Sequence, residues 1–295
     1  MTQPLRFLIV DGYPKASREQ FHEVGMKLAG ELYENLALKH VPDAETTIWI
    51  SSDEDSPPVP TVEDLDQYDG VLWPGCNLTV YHDDPRVHKH IQLADRAYEA
   101  GVPQFGSCWA IQLATVVAGG EVGVCKNGRE MGVGTKVRLT EAGKRHPMFE
   151  GKPQVYNHFM SHDDEVIRLP EGGTWLAGND WSPVQAAEIR YKQGVFWAVQ
   201  YHPEYDLHEL ARLITAREER LIKFGYFQDH DDLAAYVSRL DALVADPTRK
   251  DLRWQLKIDD DVLDDNIREC EFRNWIKHLV MPTAAARRAG EAATA

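Results

Sequence analysis

The chain has no excess of basic charge. Its 32 Lys and Arg stand against 47 Asp and Glu, a formal net charge of −15 over 295 residues. Binding nucleic acid by neutralising phosphates needs clustered cations, so that class of partner is not expected. Cysteine is scarce as well. Cys76, Cys108, Cys125 and Cys270 are widely spaced and form no CxxC pair, a pattern that indicates neither a zinc site nor a disulfide framework. No apolar run approaches the length of a membrane span, and the first ten residues lack the basic stretch, apolar core and cleavage site of a secretory signal. There is no GxxxxGK[ST] loop to cradle a nucleotide and no internal repeat. These absences predict a cytoplasmic protein with reduced thiols, no metal, no cofactor and no membrane partner.

The hydrophobic content of 43% is ample for a buried core. Residues 5–10 (LRFLIV) form a continuous apolar run of the kind found in a strand buried on both faces. A helical pattern follows over 17–38, with Phe21, Val24, Leu28, Leu32 and Leu36 near one face. Residues 46–50 and 71–73 read as short strands separated by the Ser-, Asp- and Pro-rich loop 51–60. Asp83-Asp84-Pro85 reads as the start of a helix running to about Ala100, before Gly101-Val102-Pro103 returns the chain to the sheet. This alternation predicts an α/β fold, an open and mostly parallel sheet with helices on both faces. From 131 to 199 the segments turn β-rich, at 133–139, 155–160, 174–176, 184–189 and 195–199. After Glu204 the pattern is helical, with apolar stripes through Leu207 to Ile222, Leu233 to Val244, and Phe272 to Leu279. The expected division is a first domain over 1–205, a helical extension over 206–283, and a disordered tail of small and polar residues over 284–295.

The chemistry centres on one short segment. Phe105-Gly106-Ser107-Cys108-Trp109-Ala110-Ile111-Gln112 sets a cysteine between a short apolar run and an apolar helix. A thiol on a sharp strand-to-helix turn stands at the carboxyl end of a strand, beside the free amides of the helix N-terminus. That setting favours the thiolate and offers donors to an oxyanion. Gln200-Tyr201-His202-Pro203-Glu204 then supplies an imidazole and, two residues on, a carboxylate to orient it. Together the two segments predict a Cys-His-Glu acyl-transfer site. Cys125 and Cys270 read as unreactive free thiols. His82, His88 and His90 read as a solvated helix face rather than metal ligands, because positions i and i+2 diverge on a helix.

Gly106-Ser107-Cys108-Trp109-Ala110-Ile111-Gln112 taken with Gln200-Tyr201-His202-Pro203-Glu204 resembles the signature of class I glutamine amidotransferases, and most nearly their stand-alone, GMP-synthetase-like glutaminase branch. Gly75-Cys76-Asn77-Leu78-Thr79-Val80-Tyr81 is similar to that family's oxyanion loop. His146-Pro147-Met148-Phe149, Ser161-His162-Asp163-Asp164 and Leu169-Pro170-Glu171-Gly172 are similar to its later segments, in order, over roughly residues 5–205. The resemblance implies a flavodoxin-like fold and hydrolysis of glutamine through a γ-glutamyl thioester on Cys108. It implies His202 as general base, Glu204 as its orienter, and the amides of Cys76 and Trp109 as the oxyanion hole. Gly75, Gln112, Ser161 and His162 would hold the substrate. The ammonia released would pass to a separate synthetase partner, and the extension, with Trp254, Phe272 and Trp275 as exposed aromatics, would mediate docking or a homo-oligomer. Three positions depart from the family pattern. Cys76 and Asn77 replace a glycine and a proline of the oxyanion loop, where a positive φ would strain a cysteine. Ala110 replaces the elbow glycine, where a methyl group would tighten the turn. Two other functions stay open at this stage: a γ-glutamyl peptide or amide hydrolase, and a non-catalytic binding or regulatory module.

Overall fold

A computed structural model of the chain describes residues 3–294, with side chains as far as Gly290. Eleven strands are β1 (Arg6–Asp11), β2 (Glu45–Ile50), β3 (Gly70–Trp73), β4 (Gln104–Ser107), β5 (Glu121–Val124), β6 (Glu130–Leu139), β7 (Val155–His162), β8 (Asp164–Arg168), β9 (Gly173–Gly178), β10 (Ala186–Tyr191) and β11 (Gly194–Val199). Nine of them form one sheet in the order β2-β1-β3-β4-β11-β10-β9-β6-β7, and β5 pairs with β8 apart from it. The pairings from β2 through β11 are parallel, and those from β11 out to β7 are antiparallel. Only β6 and β10 run against the rest, so the sheet is mixed but mostly parallel, as the alternation of strands and helices predicts.

Strand β1 shows why the residues sort as they do. Leu8 and Val10 point to one face of the sheet, into a core with Val87, Leu93, Ala97 and Ile111 from α4 (Pro85–Ala100) and α5 (Trp109–Val117). Phe7 and Ile9 point to the other, with Tyr33 and Leu36 of α2 (Ala29–His40). The expected helix over 17–38 is in fact two, α1 (Lys15–Glu23) and α2, because Gly25 takes a left-handed φ of 75° and turns the chain between them. A single turn, α3 (Val62–Leu65), leads into β3.

The helices after the sheet are α6 (Leu207–Ala216), α7 (Glu218–Lys223), α8 (His230–Ala245), α9 (Lys250–Leu256), α10 (Asp260–Leu263), α11 (Asp265–Arg268), α12 (Cys270–Trp275) and α13 (Met281–Thr294). The first of these build a third core with α1: Leu210, Leu213, Leu240 and Leu243 meet Tyr13 and Phe21. Helix α12 behaves differently from the expectation of exposed aromatics. Phe272 and Trp275 are fully buried beneath the sheet, with ring centroids 5.4 and 5.7 Å from that of Phe105. They fill the face beneath β1, β3 and β4, and only Trp254 of the three expected aromatics is exposed. Gly70 makes the fit possible, since a Cβ there would stand 2.6 Å from Trp275 Cη2. The expected disordered tail over 284–295 is helical through Thr294, with Ala295 outside the described residues. Alanine-rich sequence favours helix, and the tail is pinned: Arg287 pairs with Asp66 at 2.8 Å and Arg288 with Asp69 at 3.2 Å. No described helix is long and apolar enough to cross a membrane.

Candidate active site

Cys108 closes β4 and opens α5 with φ 53° and ψ −97°, a left-handed conformation that a cysteine adopts only when its surroundings hold it there. Those surroundings are identifiable. Its amide donates to Val199 O at 2.8 Å on the neighbouring strand. Gly106 is obligatory, because a Cβ would lie 2.2 Å from Trp73 O and 2.5 Å from the Ala110 methyl. The alanine at 110 therefore occupies space that Gly106 leaves open, and the turn accommodates it. As the first residue of α5, Trp109 carries one of the helix N-terminal amides that have no acceptor within the helix.

His202 follows β11, and its amide donates to Phe159 O at 3.0 Å. Its Nδ1 meets Glu204 Oε1 at 2.7 Å, with the two side chains only 1% and 2% exposed. Ser107, beside the cysteine, donates to the same carboxylate oxygen at 2.9 Å. The Tyr205 ring lies flat on the imidazole at 4.1 Å and 2°. Among the described residues Nε2 has no hydrogen-bond partner, and the ring interacts with the Cys108 side chain. Burial alone would lower the pKa of this histidine, but the Glu204 charge and the Cys108 and Glu204 contacts outweigh it and push the pKa up to about 10. The ring is therefore held as an imidazolium at neutral pH.

Gly75 packs against both groups. A Cβ there would stand 2.9 Å from His202 Cε1 and 3.7 Å from Cys108 Cβ. Cys76 lies outside the left-handed region, so the strain that a positive φ would bring is absent. Its thiol, kept protonated by burial, donates to Gly12 O at 3.2 Å. Asn77 ties the loop to α1 through Ser17 Oγ at 2.8 Å.

A cavity of about 290 Å³ opens on Cys108, lined also by Cys76, Gln112, Ser161 and His162. Gln112 donates to Asp164 O at 3.2 Å. His162 lines the cavity but has no ring nitrogen to spare, because Nδ1 meets Asp164 O and Nε2 meets Glu130 Oε2, both at 3.0 Å. Its side chain therefore shapes the wall without offering a polar atom. His202 and Glu204 sit behind the cysteine rather than on the wall. His82, His88 and His90 do not converge: His88 pairs with Asp83, and His90 is buried against Ser51. Among the described residues no cluster of three or more His, Cys, Asp or Glu side chains is placed to hold a metal ion.

The cavity also holds residues that the motifs did not single out for a role: Tyr13, Arg129, Arg217 and Arg220, with Tyr81 bonded to Asp164 at 2.9 Å. Burial raises the pKa of that Asp164 carboxyl, against the lowering effect of the Tyr81 hydrogen bond. Tyr13 was within reach of sequence reasoning, since it stands just past the carboxyl end of β1, where ligands of such sheets gather. The arginines carried no local signal.

Comparison with known proteins places these features in context. A family model described as glutamine amidotransferase class-I matches residues 40–218. Over 287 residues the chain is 33% identical to the γ-glutamyl-L-1-hydroxyisopropylamide hydrolase of a Pseudomonas species, covering 96% of this chain and 95% of that protein. It is 38% identical over 136 residues to a glutamine-hydrolysing GMP synthase of a Nitratiruptor species, which covers 46% of this chain but only 25% of that longer protein. In structure it is similar to a glutamine amidotransferase from Thermotoga maritima, with a TM-score of 0.62 at 18% identity, covering 95% of this chain and 99% of the other.

Proposed function

The chain belongs to the class I glutamine amidotransferase family, and we propose that within it the protein hydrolyses the γ-amide bond of γ-glutamyl compounds through a thioester on Cys108. One observation carries the chemistry: a strained cysteine at a helix N-terminus opens on a cavity and is backed by an imidazole that Glu204 holds in place, with Ser107 donating to the same carboxylate oxygen. In this reading the Cys108 thiolate attacks the γ-carbonyl carbon. The amides of Trp109 and Cys76 take up the charge that develops on oxygen, a contribution worth about 10²–10³ in rate for one such donor. His202 gives its proton to the departing nitrogen as the C–N bond breaks, leaving the γ-glutamyl thioester. A water molecule then loses a proton to the neutral imidazole and attacks, releasing glutamate and restoring the thiolate and imidazolium. Gln112 and the Ser161 segment line the glutamyl side.

An organic amine is favoured over ammonia as the leaving group by the reach of the similarity. The Pseudomonas hydrolase aligns across the whole chain, helical extension included, whereas the GMP synthase aligns with less than half of it. That second likeness supports a second reading, a glutaminase passing ammonia to a separate acceptor synthetase. The test is release of glutamate from a γ-glutamyl alkylamide and from glutamine in parallel. The alkylamide is expected to be the better substrate, with Cys108→Ala reducing turnover by at least about 10³-fold. Turnover that survives the substitution would remove Cys108 from its role, and cleavage of glutamine alone would favour the second reading.

A further inference from the structure

Three guanidinium groups reach the cavity, and one has no acid to pair with. Arg129 and Arg220 both end on Asp163 Oδ2, and Arg129 also donates to Ser161 Oγ at 2.8 Å. Arg217, at the junction of α6 and α7, makes no ion pair among the described residues. Its Nη1 donates to Gln20 Oε1 at 3.0 Å, and its Cζ stands 5.1 Å from the centroid of the Phe21 ring. Gln20 is itself fixed, donating from Nε2 to Ala216 O at 2.7 Å. An amide on one edge and a ring on one face hold the guanidinium still without neutralising it. The rest of its planar fork of donors is unclaimed, and that fork matches a carboxylate.

The position of Arg217 says which end of a substrate it meets. Tyr205 stacks on the His202 imidazole, and Tyr13 meets Phe21 edge-on at 5.0 Å. Burial raises the pKa of both tyrosines, and the charge of Arg217 acts on both in the opposite sense. Tyr13, Phe21, Tyr205 and Leu213 pack in one cluster, so the stretch of wall made by Tyr13, Leu213 and Arg217 adjoins the ring that covers the histidine. The histidine protonates the departing nitrogen, so whatever that nitrogen carries lies on this side.

We propose that Tyr13, Leu213 and Arg217 form a leaving-group subsite for an amine bearing a carboxylate, which makes the substrates γ-glutamyl amino acids. The subsite rests on the hydrolase reading above and narrows it. The amine named in the similar Pseudomonas hydrolase carries a hydroxymethyl group where alanine carries its carboxylate. The decisive comparison is therefore γ-glutamyl-alanine against γ-glutamyl-alaninol, with kcat and KM measured for the wild type, Arg217→Gln and Arg217→Lys. The wild type should prefer the acid. Arg217→Gln should cut the acid-over-alcohol ratio of kcat/KM by at least about tenfold, mainly through KM, as loss of a charged hydrogen bond does. Arg217→Lys should recover part of it. Calorimetric binding of both compounds to Cys108→Ala, with and without Arg217→Gln, should show the same preference and the same loss. A wild type that turns over neither compound overturns the hydrolase reading, while the binding measurements still decide the subsite. Equal handling of acid and alcohol, or a ratio unmoved by Arg217→Gln, overturns the subsite alone.

Discussion

Replacing Glu271 with alanine strips a buried ammonium group of its only carboxylate partner among the described residues. Lys152 Nζ and Glu271 stand 3.0 Å apart with both side chains fully buried. Lys152 also donates to Ile267 O at 2.8 Å, and its charge lies 4.6 Å from the Tyr156 ring centroid. At an effective dielectric of about 20, a separation of 3.0 Å corresponds to an attraction on the order of 5 kcal/mol, much of it offset by the cost of taking both charges out of water. Removing one partner forfeits the attraction but leaves the other's desolvation in place. The expected loss for Glu271→Ala is therefore about 3–5 kcal/mol, read as the shift in urea midpoint at constant m-value. The double variant Lys152→Met/Glu271→Leu should recover most of that loss, since neither charge is then buried. It also leaves the Tyr156 and Tyr201 hydroxyls bonded to each other at 2.8 Å. A cost of about 1 kcal/mol or less for Glu271→Ala, or a double variant no more stable than either single one, would refute the reasoning.

Two further outcomes follow from distances already given. An imidazole that titrates near 6.5 when unfolded and at about 10 in place binds an extra proton between those values, so the stability it contributes is complete below about pH 6.5 and is lost as pH rises through about 10; Glu204→Gln should move the alkaline limb of kcat/KM to lower pH, and a limb that stays put would contradict the assignment of Glu204 as the group holding the ring charged. Gly70→Ala should cost about 1–3 kcal/mol by thermal or chemical unfolding, because its methyl would meet Trp275 at 2.6 Å, and a neutral effect would mean that α12 is not seated under β3.

Sequence reasoning reached the elbow and the histidine segment because their chemistry is local. A cysteine between an apolar strand and an apolar helix is visible in a few letters, and so is His202-Pro203-Glu204. The central strands were legible for a related reason, since runs such as Leu8 to Val10 are buried on both faces and need no partner to announce them. What escaped depends on long-range packing. The split between α1 and α2 turns on one left-handed glycine inside an otherwise continuous stripe. Strands β5 and β8 pair only with each other and lie apart from the main sheet. Phe272 and Trp275, expected to be exposed for docking, are buried beneath the sheet in space left open by Gly70, some two hundred residues earlier. Arg217 had no local mark at all. That no acid pairs with it among the described residues is revealed only by the folded arrangement.

The same logic argues against treating the helices after residue 205 as an accessory. Helix α12 fills the face of the sheet beneath β1, β3 and β4, and β4 is the strand that leads into Cys108. From the same helix, Glu271 accepts the hydroxyl of Tyr201, the residue immediately before His202. The segment from α6 to α7 brings Leu213, Arg217 and Arg220 to the cavity wall. The late helices therefore support the strand that leads into Cys108, brace the approach to His202 and shape the cavity beyond it. A part that only recruited a partner would have no reason to be built into all three.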